Sequence, residues 1–219
     1  PDRLVGLEFA DPDGRGVPLP YPTYRDWRAE SRSFSGVAAW TIVRASAREG
    51  REAASIPLLA MAVSGNYFHV LGVAPLLGRA LTPSDDRDAA PVAVLSHPFW
   101  SRRYGMDPTV IGRTLSLNGE TVTIVGVAPS RFVGTYVGVV PDVFLPIALH
   151  PRLTATNLFE DRGVRWVQSF ARLAPGISVD RAQIELDALA RRLSASYGER
   201  PVTGALVVEA RKRYLGGLV

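Results

Sequence analysis

The chain has 219 residues, 47% hydrophobic and 21% charged; that balance belongs to a folded chain, not a disordered one, and leaves room for one large domain or two small ones with a core that needs no staples. Cysteine is absent, which excludes disulfides, a thiol nucleophile and Cys-ligated zinc. The net charge of +4 is carried by scattered arginines and the single Lys212, with one basic run at Arg211-Lys212-Arg213 and no stacking motif beside it, so no nucleic-acid partner is expected.

Leu4 to Phe9 reads as a first strand, followed by a turn-rich loop to Pro22. Thr23 is expected to cap a helix over Tyr24 to Glu30, with Trp27 on its buried side. Residues 37–47 and 51–63 read as two extended segments joined by a hairpin turn at Arg48-Glu49-Gly50. At Ser64-Gly65-Asn66 the chain turns into a short helix over Tyr67 to Leu71, and Gly72 and Gly78 punctuate the loop beyond it. Thr82-Pro83-Ser84-Asp85-Asp86 is a cap-like helix start with proline at the tolerated first position.

Residues 92–95 form a continuous apolar run, which reads as a buried strand. Ser96 is expected to cap the next helix, which carries Phe99, Trp100 and Tyr104. The hairpin over 115–124 has the strongest local signal: Asn118-Gly119 suits a type I′ turn, which needs positive φ at both central residues. Pairing across it puts Leu115, Leu117, Val122 and Ile124 on one face and Thr114, Ser116, Thr121 and Thr123 on the other. Residues 143–145 and 165–173 read as strands and 152–163 as a connector. Ala182, Leu186, Leu189 and Leu193 recur at helical spacing within 178–197, with Gly198 as the stop. Residues 202–208 are the last expected strand.

Strand, helix, strand thus appears at 4–47 and again at 165–208. The expected architecture is α+β and two-lobed. One subdomain is discontinuous, built from residues 1–64 and 161–219; a smaller α/β subdomain, residues 65–160, is inserted in it. Termini that lie close together suit insertion between two membrane segments. No run of about 18 apolar residues occurs, so no segment here is expected to span a membrane. The chain starts at Pro1, which suggests a piece of a longer protein whose anchors lie elsewhere.

No reactive constellation is visible. The Gly-x-Ser-x-Gly elbow is absent, and Ser64 beside Gly65 reads as a turn residue. His69, His97 and His150 lack metal-ligand spacing. The pairs Asp85-Asp86 and Glu160-Asp161 read as caps or solvated loop residues. There is no phosphate loop, and the only lysine lies near the end. No catalytic, cofactor-binding or metal-ligating residue is expected. Trp27, Trp40, Trp100 and Trp166 read as core.

Several stretches read together as a resemblance. Val63-Ser64-Gly65-Asn66-Tyr67-Phe68-His69-Val70-Leu71-Gly72-Val73 is followed by Pro75-Leu76-Leu77-Gly78-Arg79. Residues 91–96 run into Phe99-Trp100-Ser101-Arg102-Arg103-Tyr104-Gly105. Asp107-Pro108-Thr109-Val110-Ile111-Gly112-Arg113 leads to Leu117-Asn118-Gly119 and Val125-Gly126-Val127-Ala128-Pro129. This ordered set resembles the MacB-like periplasmic core domain of ABC-type permeases. The opening Tyr21-Pro22-Thr23-Tyr24-Arg25-Asp26-Trp27 looks most like the duplicated orphan permeases of acidobacteria.

The resemblance implies a porter-like βαβ subdomain from both chain ends plus the inserted one, on the periplasmic face of the cytoplasmic membrane. It implies partners: the protein's own transmembrane helices, an ABC ATPase subunit, a periplasmic adaptor, and a second copy in a full-length homodimer. The implied role is to transmit conformational change between those helices and a substrate or adaptor; the alternative is a free-standing periplasmic ligand-binding or adaptor module. The motif residues are expected to be structural: Gly65, Asn66, Tyr67, Phe68, Gly72, Gly78, Arg79, Phe99, Trp100, Gly112, Asn118, Gly119 and Gly126.

Overall fold

The computed structural model describes residues 3–11, 13–48, 54–136, 138–197 and 204–209. In chain order the elements are β1 (Leu4–Ala10), β2 (Gly16–Val17), α1 (Tyr21–Glu30), β3 (Phe34–Arg48), β4 (Ile56–Val63), α2 (Tyr67–Leu71), β5 (Leu77–Gly78), α3 (Pro83–Arg87), β6 (Val92–Leu95), α4 (His97–Tyr104), β7 (Thr114–Leu117), β8 (Glu120–Val127), β9 (Val143–Pro146), α5 (His150–Thr154), β10 (Gln168–Leu173), α6 (Val179–Tyr197) and β11 (Ala205–Glu209). The fold is α+β, with mixed strand directions.

The chain divides into two compact units. One takes Pro1–Ala39 and Leu158–Gly216, the other Trp40–Asn157. The crossings therefore lie at Ala39/Trp40 and Asn157/Leu158, not at 64/65 and 160/161. The reason lies in the pairing partners of β3. Its first half bonds to β10, so that Ser169 Oγ donates to the Ala38 carbonyl at 3.0 Å. From Trp40 onward it pairs antiparallel with β4, Trp40 opposite Val63. One strand thus begins in one unit and ends in the other.

In the first unit the strand order is β11-β1-β10-β3, with β2 added to the end of β1. β1 is antiparallel to both neighbours, Leu4 opposite Arg172 and Val5 opposite Glu209. Both of its faces are buried, which explains its nearly unbroken apolar run. α6 buries Ala182, Leu186, Leu189, Ala190 and Leu193, the stripe expected from its spacing. α1 buries Tyr24 and Trp27, and Trp27 meets the Phe9 ring edge-on at 5.4 Å.

α1 differs from expectation at its start. It begins at Tyr21 after Pro20, and no side chain caps it. Pro22 lies inside the first turn, where its missing N–H leaves no bond unmade, so the helix can start earlier than Thr23. Thr23 is buried instead, and its hydroxyl has no partner among the described residues. Other boundaries move less. β4 starts at Ile56, and the turn at Glu49-Gly50 lies outside the described residues, as do Gly198, Val202 and the run Arg211-Lys212-Arg213. β10 starts at Gln168, because Val167 bridges to Leu19 rather than continuing the ladder. α5 takes the first residues of the expected connector.

In the second unit the order is β3-β4-β9-β6-β8-β5, with β7 bonded to β8 and to the end of β3. β4 and β9 are parallel, as are β6 and β8, whereas β6 and β9 are antiparallel. The register of β6 against β8 slips between Ala93 and Val94, so Val125 has no partner in β6. Met61, Val94, Leu95, Ile124, Phe144 and Leu145 are fully buried here. The hairpin β7–β8 pairs Leu115 with Val122 and Leu117 with Glu120, and its four expected core residues are all buried.

Between α6 and the loop that leaves α1, the Glu185 carboxylate accepts the Arg32 N–H at 2.6 Å, the Ser31 hydroxyl at 3.3 Å and the Ser33 hydroxyl. Burial acts to raise its pKa, but these donors outweigh it and hold the carboxyl below its ordinary value. Glu185→Ala is expected to destabilise the chain by about 1–2 kcal/mol, since a hydrogen bond to a charged group contributes about 1.5–3 and this site is partly solvated. Urea unfolding of the two proteins checks this.

Candidate functional site

All thirteen residues singled out by the motif lie in the second unit. Four of them, Gly65, Gly78, Arg79 and Gly126, converge on one segment, Leu77 to Asp88, and the two backbones it lies against. Gly126 of β8 faces the Arg79 carbonyl so closely that a Cβ would sit 2.1 Å from it, and a Cβ on Gly78 would sit 2.2 Å from the Val125 carbonyl. Gly65 has the same relation to the Thr82 carbonyl, at 2.2 Å. Three strands of backbone are therefore in direct contact where side chains would have held them apart.

Arg79 follows Gly78 and pairs with Asp85 in a two-pronged geometry, at 2.7 and 2.8 Å. Asp85 is buried, and it also accepts from the Thr82 N–H at 2.8 Å and the Thr82 hydroxyl at 2.7 Å. Thr82 and Asp85 form a reciprocal capping box that starts α3. Burial pushes the Asp85 pKa up; the hydrogen bonds from Arg79 and Thr82 outweigh it, so the carboxyl stays below its ordinary value. Next to it, Asp86 accepts the Gly65 N–H at 3.3 Å and the Ala148 N–H at 3.1 Å.

α2 begins after Asn66, which accepts the Ser64 hydroxyl on its side-chain oxygen at 2.8 Å. Ser64 is thus a turn residue, as expected. Tyr67 and Phe68 pack with Phe132 and Phe144 in one aromatic cluster, with ring centroids 5.2 to 6.3 Å apart. The Tyr67 hydroxyl meets the Thr135 hydroxyl at 2.9 Å inside it. Burial pushes the Tyr67 pKa well above its ordinary value, so the phenol stays neutral. Gly72 closes α2 in a left-handed conformation, and Val73 N–H reaches back to the Phe68 carbonyl at 2.9 Å.

The remaining motif residues stand apart from this knot. Phe99 and Trp100 are buried on α4, which Ser96 caps, and the Trp100 indole N–H donates to the Asp107 carbonyl at 2.9 Å. Gly112 donates to the Ile124 carbonyl at 2.8 Å. Asn118 and Gly119 turn the hairpin with φ of 49° and 92°. Asn118 does more than turn: it accepts the Ser46 N–H at 2.8 Å and donates to the Leu153 carbonyl at 2.9 Å. Sequence reasoning missed Thr135 and Asp142, and read Asp86 only as a cap or solvated residue. Asp142 accepts Leu59 N–H at 2.9 Å and Arg102 at 2.8 Å. A lone threonine or aspartate in a loop carries no signal of a distant donor.

What the arrangement can do is hold backbone. Among the described residues no three His, Asp or Glu side chains group as metal ligands. His69 is exposed, His97 packs edge-on against Trp100 at 5.6 Å, and His150 is buried in α5. Burial lowers the His150 pKa, with a backbone contact to Thr156 opposing it.

Fold and site together define an α+β domain whose distinctive residues lock segments together. The MacB-like periplasmic core domain family matches residues 3–189, and the chain belongs to that family. It is accordingly a periplasmic domain of a MacB-like ABC-type transporter permease, and the family is not one of enzymes. Comparison with curated proteins gives no match. The fold is similar to the periplasmic region of MacB from Actinobacillus actinomycetemcomitans, with a TM-score of 0.69 and 13% identity over 96% of this chain and 90% of that one. It is also similar to the extracellular domain of the noncanonic ABC-type transporter YknZ from Gram-positive bacteria, with a TM-score of 0.65 and 14% identity over 94% and 99%. A domain of a putative permease from Porphyromonas gingivalis gives 0.61 and 16% over 94% and 87%. Among the described residues no helix is long and apolar enough to cross a membrane.

Two expectations follow. Gly126→Ala, which forces a Cβ into a carbonyl, is expected to cost about 2–4 kcal/mol. Gly119→Ala meets nothing within 4 Å and costs only its left-handed backbone, about 1–2 kcal/mol; denaturant midpoints of the pair decide the order. As for pH, burial holds the folded His150 pKa below its unfolded value, so the unfolded chain binds this proton more tightly and stability falls as pH drops below about 6.5. Asp85 has a depressed folded pKa, so its contribution is present above about pH 4 and is lost below it. His150→Gln should flatten the upper part of the stability profile and Asp85→Asn the lower part.

Proposed function

We propose that the domain works as a stiff body that transmits displacement between transmembrane helices of its parent permease and a substrate or adaptor in the periplasm, without catalysing a reaction. In this reading the unit that holds both chain ends is the porter-like part and the other is the insert. The helices adjoin the chain at both ends, an ABC ATPase drives them from the cytoplasmic side, and the full-length permease acts as a homodimer.

The carrying observation is the knot around Leu77 to Asp88. Three backbones in contact at Gly65, Gly78 and Gly126, clamped by Arg79–Asp85, leave little internal slack. Dense interiors pass strain on rather than absorb it. Family membership supplies the transporter context.

The test uses spin labels in the full-length permease, at the exposed positions Asp88 and Thr121 of the second unit. The distance between them is expected to stay constant through ATP turnover, while the distance between the Thr121 labels of two copies changes. An inter-copy distance that does not move with ATP, or parent protein without membrane spans beside this domain, overturns the reading.

A further inference from the structure

The end of the first unit at which β1 begins has an unusual surface. Register puts several segments there together. Leu4 stands opposite Arg172, Val5 opposite Glu209 of β11, and Ala174 N–H donates to the Ser33 carbonyl at 2.8 Å. The first described residues, the last residues of β11, the loop that leaves α1 and the start of α6 therefore share one pole. Glu185 pins the last two of these to each other.

On this pole an open groove is lined by Arg32, Arg181, Ile184 and Glu185. Ile184 is 72% exposed, off the stripe that α6 buries. A lone exposed isoleucine needs no explanation, but this one lies between two arginines. Arg32 and Arg181 are both exposed, and neither guanidinium has a carboxylate partner among the described residues. Four other arginines of this unit do have one, Arg15 with Asp13, Arg25 with Glu160, Arg162 with Asp26 and Arg192 with Glu30. Exposed Arg3 adds a third cation, bonded only to the Leu173 carbonyl. Against these stand exposed Asp180 and the Glu185 carboxylate, whose oxygens are already occupied by Ser31, Arg32 and Ser33.

We infer that this pole docks on the surface of an anionic phospholipid bilayer, with Arg32 and Arg181 on headgroup phosphates and Ile184 at the acyl boundary. The inference rests on the proposed reading, because helices that adjoin the chain at both ends would bring this end of the unit toward the membrane. Free cations flanking an apolar side chain are the pattern that binds such an interface, through charge attraction plus a small apolar contact. A docked pole would give the domain a bearing surface, so that a displaced helix tilts the unit against the bilayer.

The test is flotation of the 219-residue chain with vesicles of phosphatidylcholine containing about one-third phosphatidylglycerol, against vesicles of phosphatidylcholine alone. The chain is expected to float with the anionic vesicles only, and to be released by high salt. R32Q with R181Q should weaken binding roughly 25-fold, at about fivefold per arginine, and I184D should weaken it as well. Neither side chain holds a partner, so thermal melting should be unchanged. Equal flotation of the R32Q/R181Q chain, equal binding to neutral vesicles, or loss of binding only in R211Q/K212Q/R213Q overturns the inference. The assay does not depend on flanking helices. Vesicle binding alongside a parent protein that lacks membrane spans would sink the transmission reading alone, and spans without vesicle binding would sink the docking alone.

Discussion

At Gly78 and Gly126 two backbones meet with nothing between them, and the second unit is organised around that contact. Because β8 cannot stand away from β5, Val125 bulges out of register with β6 and its carbonyl turns to the Arg79 N–H, at 2.8 Å. Arg79 is thereby aimed at Asp85, and Asp85 fixes the start of α3. The Thr82 carbonyl that α3 presents then closes on Gly65. Gly65 in turn sets the turn from β4 into α2, which delivers Tyr67 and Phe68 to the aromatic cluster. Each link is short-range, and each depends on the one before it. A side chain at any of the three glycines would separate backbones that a whole series of hydrogen bonds requires to touch.

Part of this was legible in the residue order. Asn118-Gly119, Ser96 before α4 and Thr82-Pro83 before α3 are local instructions, read by neighbours a few residues away, and each stands where the pattern puts it. β6 is short and wholly apolar, and a buried strand is the one element such a run fits. The start of α1 was not legible, because Pro22 is as acceptable within a first turn as before it. The points at which the chain crosses between the units were not legible either. β3 looks like one uninterrupted strand, and nothing in its own residues tells that its halves bond to β10 and β4. The site follows the same rule. Its glycines announce that some backbone comes near, but Thr82, Arg79 and Val125, the partners, are chosen by the folded topology. Asp85 could be read as a cap; its pairing with Arg79 could not.

In this chain the motif residues hold backbone and core positions, and that suits the mechanical role proposed. Polar groups here are consumed in holding loops: Asp142 on Leu59 and Arg102, Asn118 on Ser46 and Leu153, Asp86 on Gly65 and Ala148. That commitment makes loops behave as extensions of the sheet.

The position of β1 has a consequence for how the molecule comes into being. It lies between β10 and β11, paired with residues from the far end of the chain. Made first, it can pair only the end of its length with β2, and the rest must wait as an unpaired apolar segment until almost everything else has emerged. The second unit, contiguous in sequence, can complete itself in the meantime, since its contacts span shorter separations. Assembly then runs from the inside outward, and the interval before closure is when a lone β1 is most open to capture by another chain. For a domain that matures beyond a membrane, the last strand to arrive decides when the first becomes safe.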